Sequence, residues 1–433
     1  MVAGDRPTGK MRCLRDREET VASHQRTTAT RSPIIDFMVP PRLDYRSLRY
    51  RVVLWCLACM VISGVLGACA SRSHRGAVVR DTIWYVSARA RDERGRVLRT
   101  LADTLEYGAA IFERAPVSDA FSDKLSFTLR DSLQFSRDAF LNAVLSRVNA
   151  QPQTEDFAVL YVHGFGTGLD ECRSHPVHAR TRSLSGAPWI AFCWPSHGAG
   201  ITWPRLGSVF VRAYEDDTAS VTRSAPAFRQ TLDDVAGTLG ADRVLLTTHS
   251  LGGRMVSELL ARTPVDGPPR DTLRALAFIA LDHEATRFAD TLLPALRHVT
   301  HRIVLYAERR DRPLIISRRM HDSPRAGLAD PEPLVRNGLE SVNVSDAFVN
   351  DSWLQRIVGN RHSIKRASAL LWDLTHVVGS KRDPSCRETV GLGRLNVSGV
   401  WQMLAVPRPD TAALSRCITR TSALPAAPSR RQP

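Results

Sequence analysis

The 433-residue sequence predicts an α/β fold built on a doubly wound, mostly parallel sheet. Three observations predict it. Short apolar runs recur along the chain without polar alternation, as strands buried on both faces require: those in DFAVLYVHGFGTG (156–168), PWIAFCWPS (188–196), DRVLLTTHS (242–250), LRALAFIAL (273–281) and HRIVLYAE (301–308). Between them lie stretches whose apolar residues repeat at helical spacing. Glycines and chemically active side chains follow the runs, and in such sheets reactive groups gather at the carboxyl ends of the strands.

In chain order, TIWYVSARA (82–90) and KLSFTLRDSLQF (124–135) read as early, partly solvated strands. SRDAFLNAVLSRV (136–148) reads as a helix capped by Ser136, with Phe140, Val144 and Val148 on one side. The strand in 156–168 breaks into the glycines of HGFGTG, and the next is stopped by Pro195. A helix follows in which Ser224 suits the cap and Pro226 the first turn, while Phe228, Leu232, Val235 and Leu239 line one face. The strand at 242–250 leads into LGGRMVSELLAR, a helix ending before Pro264. The alternation continues with the strand at 273–281, a helix over 287–296, the strands at 301–308 and 339–345, and a last helix bearing Ile364, Ala367, Leu371 and Leu374. This unit is expected to span residues 80–420, with the Pro- and Arg-rich residues 421–433 as a disordered tail.

Hydrophobic residues at 43% and charged ones at 24% describe a globular chain. Eleven basic against six acidic residues in the first 68 account for about a third of the net charge of +15. The other basic residues are scattered among acids, without the patch or interleaved aromatics of a nucleic-acid reader, so nucleic-acid binding is not expected. GDRPTGKM (4–11) approaches a phosphate-binding loop, but Met11 stands where Ser or Thr is required and no strand precedes it.

The longest apolar run, VVLWCLACMVISGVLGA (52–68), follows Arg42, Arg46, Arg49 and Arg51, the order of a secretory leader. It ends in LGACAS, which resembles the lipobox of bacterial lipoproteins and would make Cys69 the lipidated first residue. An uncleaved anchor or an ordinary cleaved signal are the alternatives. Ala70 suits sorting to the periplasmic face of a Gram-negative outer membrane, residues 69–79 would form a linker, and Met38 would start a leader of ordinary length. Export leaves Cys172, Cys193, Cys386 and Cys417 in an oxidising compartment. Proximity favours Cys172 with Cys193 and Cys386 with Cys417, and buried unpaired thiols fit the sequence equally. No two cysteines of the mature region have CxxC spacing, so a metal is not expected.

THSLG (248–252) has the mechanics of a nucleophile elbow, usually G-x-S-x-G: a strand turns sharply into a helix and holds a serine hydroxyl at its tip. Gly252 fills the second glycine position and the bulkier Thr248 the first. A serine that merely caps the helix is the plainer alternative. Ser250 would then need a base and donors for the developing oxyanion. Backbone N–H groups of Phe165, in the HGFGTG loop, and of Leu251 would supply the donors. In this fold the order is nucleophile, acid, histidine. Asp311, just past the strand at 301–308, has the place of the acid, with Asp282 one strand earlier as the alternative. His362, after the last strand, has the place of the base. His376 is more easily explained by packing, and His249 is expected to be a structural neighbour of the nucleophile.

YVHGF (161–165), FCWPSHG (192–198), THSLGGR (248–254), LYAERRDRPLIISRR (305–319) and GNRHS (359–363), in this order, resemble the bacterial α/β hydrolases of the domain of unknown function 900 family. The resemblance covers roughly residues 80–380. It implies an α/β-hydrolase fold with Ser250, Asp311 and His362 as the triad and brings no established substrate. Thr248 stands where such proteins often have Ala, Gly253 where Asn is common, and Leu281 where a proline is typical. The expected activity is that of a serine hydrolase, lipid-anchored outside the cytoplasm, cleaving an ester or related acyl bond through an acyl-Ser250 intermediate without cofactor or metal. The rival is a non-catalytic envelope binding or scaffold protein that keeps the elbow as architecture.

Overall fold

The computed structural model describes residues 78–114, 125–197, 208–262, 272–347, 362, 368–404 and 409–419. The leader, Cys69, the linker up to residue 77 and the tail lie outside the described residues, as does the expected start of the last helix at Ile364 and Ala367. Val79, the last residue of the expected linker, already belongs to the first strand.

Strand β1 (Val79–Arg91) turns back into β2 (Val97–Arg114), which pairs with β3 (Thr128–Phe135), giving an antiparallel margin. Beside β1 the sheet becomes parallel through β5 (Trp189–Cys193), β4 (Ala158–Val162), β6 (Val244–His249), β7 (Ala275–Ile279), β8 (Ile303–Ala307) and β9 (Glu340–Asn343). A short antiparallel pair, β10 (Gly393–Leu395) and β11 (Trp401–Met403), completes the eleven-stranded sheet on the far side. Every residue of β4 through β8 is buried. Along β4, Val159 and Tyr161 join one hydrophobic cluster while Ala158, Leu160 and Val162 join another, so each face of the sheet has its own core.

The helices that cover these faces are α1 (Arg137–Asn149), α2 (Leu169–Ser183), α3 (Ser208–Arg223), α4 (Ala225–Leu239), α5 (Leu251–Ala261), a helical stretch over 285–296, α6 (Arg312–His321) and α7 (Ser368–Asp373). Ser136 caps α1 as the sequence suggests, accepting from the Ala139 N–H at 3.4 Å. Ser224 does not cap α4. It has helical dihedrals, and its hydroxyl donates back to the Ser220 carbonyl at 2.8 Å, so α3 runs almost directly into α4.

Because β4 pairs with both β5 and β6, the chain leaves it toward one side and later returns on the other. This reversal opens a crevice above the carboxyl end of β4. Two disulfides, Cys172–Cys193 and Cys386–Cys417, realise the pairing that sequence proximity favours. The first ties α2 to β5 just below that crevice.

Candidate active site

The serine of THSLG is held in a conformation that an ordinary loop residue avoids. Ser250 has φ 52° and ψ −122°, between the last residue of β6 and the first turn of α5. Such a backbone costs about 1–3 kcal/mol and persists only where its surroundings impose it. Here the Ser250 N–H donates to Ile279 at 3.0 Å, and the Ser250 carbonyl accepts from Gly253 at 3.0 Å. Two glycines make room for the turn. A Cβ on Gly252 would run into the His163 carbonyl oxygen, and one on Gly164 would lie 2.9 Å from the Ser250 Cβ. The start of α5 and the HGFG loop therefore pack backbone against backbone, which brings together the segments carrying the Leu251 and Phe165 N–H groups.

Three departures from the family pattern meet at one point. A Cβ on Gly253 would stand 2.7 Å from Leu281 Cδ1 and 2.9 Å from Thr248 Oγ1. The bulk of Thr248 and Leu281 thus occupies the space that a side chain at 253 would need.

His362 Nδ1 lies 2.6 Å from Asp311 Oδ2, with Asp311 fully buried and the His362 side chain 11% exposed. Since the carboxylate can only accept, Nδ1 carries the proton and Nε2 has the lone pair. Asp311 is also the cap of α6: its Oδ1 accepts from the Leu314 N–H at 3.0 Å, which fixes the carboxylate. Burial pulls the imidazole pKa down, but the charge and hydrogen bond of Asp311, then Asp282 and Glu308, outweigh it and leave His362 raised. An imidazolium formed here is stabilised, as a base that must hold a proton in mid-reaction requires.

The other candidates stand elsewhere. Asp282 accepts from the Tyr214 hydroxyl at 2.5 Å and the Ser317 hydroxyl at 2.6 Å, so its oxygens are engaged away from the His362 ring. His249 donates from Nε2 to the His362 carbonyl at 2.7 Å and packs its ring 4.5 Å from that of His362. Burial, then the charge of His362, hold its pKa at about 3, so it is a neutral prop. His376 lies against Trp372 and meets the Ser183 carbonyl at 2.8 Å, a packing role.

Sequence reasoning missed the polar residues behind the HGFG loop. Asp217 on α3 and Ser196 after β5 reach the Gly166–Thr167 backbone, and Arg89 from β1 donates to the Thr167 carbonyl at 2.7 Å. The signal was present at Asp217, a carboxylate that falls on the same helix face as Ala213, Tyr214 and Val221, all buried.

The family model for α/β hydrolases of unknown function, DUF900, matches residues 136–360. The chain belongs to this family. The matched segment holds β4 through β9 with Ser250 and Asp311 and ends two residues before His362, a shorter span than the resemblance suggested. The protein is thus an α/β hydrolase by family and by its mostly parallel sheet. No curated protein matches the chain. Solved structures similar to this hydrolase include a dienelactone hydrolase-like promiscuous phosphotriesterase from metagenomic libraries, at 12% identity over 70% of this chain and 98% of the other, with a TM-score of 0.32. A CIB-like hydrolase from Thermoplasma acidophilum has 13% identity over 70% and 98% of the two chains and a TM-score of 0.29. A carboxylesterase from Mesorhizobium loti has 15% identity over 45% and 81%, with a TM-score of 0.26. The family match, rather than these distant likenesses, assigns the fold.

Proposed function

We propose that this hydrolase is a serine esterase-like enzyme that cleaves an ester or related acyl bond through an acyl-Ser250 intermediate. The observation that carries the reading is the 2.6 Å bond between buried Asp311 and His362, whose carbonyl is held by His249, the residue that precedes a strained Ser250. His362 Nε2 takes the Ser250 hydroxyl proton as Oγ attacks the acyl carbon. The oxyanion meets the Phe165 and Leu251 N–H groups, and His362 returns the proton to the leaving group. Water, activated by the same imidazole, then releases the acid and restores Ser250. The chemistry needs only groups of the chain.

The test is labelling of the folded protein with a fluorophosphonate. The parent is expected to label at Ser250, and Ser250→Ala to lose the label. A folded, unlabelled parent would favour a binding or scaffold role instead.

We further propose export and lipid attachment through Cys69, with the enzyme facing the periplasm from the outer membrane. The lipobox-like LGACAS supports this, and the two disulfides fit an oxidising compartment. No helix among the described residues is long and apolar enough to cross a membrane.

A further inference from the structure

We infer that Asp217 is the positioning residue of the oxyanion site, a buried carboxylate that fixes the backbone presenting the Phe165 N–H; this rests on the serine hydrolase reading above. Within the HGFG loop His163 Nδ1 lies 2.9 Å from the Gly164 carbonyl oxygen. Gly166 has φ 68°, a left-handed turn without a side chain to lock it. A further hold on it comes from α3. Asp217 Oδ2 accepts from the Gly166 N–H at 3.0 Å and from the Ser196 hydroxyl at 2.5 Å, and Oδ1 accepts from the His197 N–H at 2.9 Å and His197 Nδ1 at 2.8 Å. Each oxygen receives two donors, which fills the acceptor capacity of the carboxylate.

The network continues on the other side of the loop. The Ser196 hydroxyl accepts from the Thr167 N–H at 3.0 Å, while Arg89 donates to the carbonyls of Thr167 at 2.7 Å and Ser196 at 3.2 Å. The turns after β4 and β5 are therefore bound to one carboxylate and one guanidinium, both buried. The Gly166 N–H belongs to the peptide that follows Phe165, so the bond to Asp217 sets the plane on one side of that residue. On the other side Gly164 is crowded: a Cβ there would lie 2.8 Å from His249 Nδ1 and 2.9 Å from Ser250 Cβ. An oxyanion donor must be aimed before charge develops, and a clamp of this kind supplies that aim.

Asparagine at 217 keeps the shape but cannot keep the bonds. Each carboxylate oxygen meets one backbone N–H that can only donate, so an amide nitrogen in either place faces a donor. The experiment measures p-nitrophenyl ester hydrolysis per fluorophosphonate-labelled site, together with inhibition by phenylboronic acid, whose tetrahedral adduct mimics the oxyanion state. Asp217→Asn and Ser196→Ala are expected to lose about 10-fold or more in kcat and a similar factor in boronate affinity, with KM within about threefold of the parent. Asp233→Asn on α4, exposed and paired with Arg229, is expected to keep parental rates. Parental kcat and boronate affinity in folded, labelled Asp217→Asn would overturn the assignment, as would an equal loss in Asp233→Asn. Should Asp217→Asn not fold, Ser196→Ala decides by the same two readings. An unlabelled parent would instead remove the hydrolase reading, and the clamp with it.

Discussion

Asp311 and Asp282 show how two buried aspartates on neighbouring strand ends come to different work. Asp311 follows β8 and starts a helix, so one oxygen is fixed by the Leu314 N–H and the other is left to His362. Asp282 follows β7 and is bound by Tyr214 and Ser317, with Arg325 at 3.5 Å. Its charge reaches His362, but its hydrogen bonds do not. Asp311→Asn is therefore expected to lower kcat by about 10²–10⁴, because the amide no longer selects the Nδ1–H tautomer or stabilises the imidazolium. Asp282→Asn is expected to cost less than about tenfold in kcat, its main effect falling on stability through the Tyr214 and Ser317 bonds. Steady-state kinetics beside thermal melts separate the two; a larger kcat loss in Asp282→Asn would reverse the assignment of the acid. Residue order along the chain pointed to both carboxylates, and only the fold directs one of them at an imidazole 51 residues away.

The strands were the legible elements, because burial on both faces writes an unbroken apolar run. The missed ones each have a local reason. Helix α2 carries Pro176 and covers the sheet with Arg173 and Arg182 as well as apolar residues, so its buried face does not read as hydrophobic. Strand β2 is exposed over much of its first half, and the turn before it is hidden in a charged run, where Asp92 Oδ1 accepts from the Arg94 and Arg96 N–H groups and Gly95 takes φ 74°. At the elbow the question is space. Thr248 and Leu281 fill the volume beside Gly253, so Gly253→Asn alone is expected to destabilise by about 1–3 kcal/mol through overpacking. Adding Thr248→Ala should recover part of that loss, a coupling of about 0.5 kcal/mol or more in a double-mutant cycle read by denaturant melts. Additive effects would show that the two sites do not share the space.

For the whole molecule, the histidines set opposing pH trends. His362 is raised in the folded state, so the stability its pair with Asp311 contributes is fully present below the ordinary histidine value of about 6.5 and is lost as pH rises through the folded value. Catalysis needs the neutral ring and so grows over that same window. His163 and His249 are held at about 3, by burial first and then by the charges of Arg89 and His362 respectively. They stay neutral while the unfolded chain takes up protons, so relative to neutral pH stability falls as pH drops from about 6.5 toward 3. The rate constant kcat/KM should therefore rise with pH along a limb centred above about 6.5, while the His362 contribution to melting temperature declines there. Parallel pH series of both quantities check this, and a limb centred below 6.5 would contradict the Asp311 pairing.

The sequence alone determined the class of sheet and pointed to the candidate nucleophile, acid and base in their order, because burial periodicity and the demands of a strained turn are local properties of the chain. It also favoured the cysteine pairing through proximity. Only the tertiary structure decided that Asp311 rather than Asp282 bonds His362, that Thr248 and Leu281 fill the space beside Gly253, and that Asp217 stands behind the HGFG loop. These are matters of direction and free volume between segments far apart in sequence, and a hydrogen bond or a filled space exists only once packing has brought both sides together.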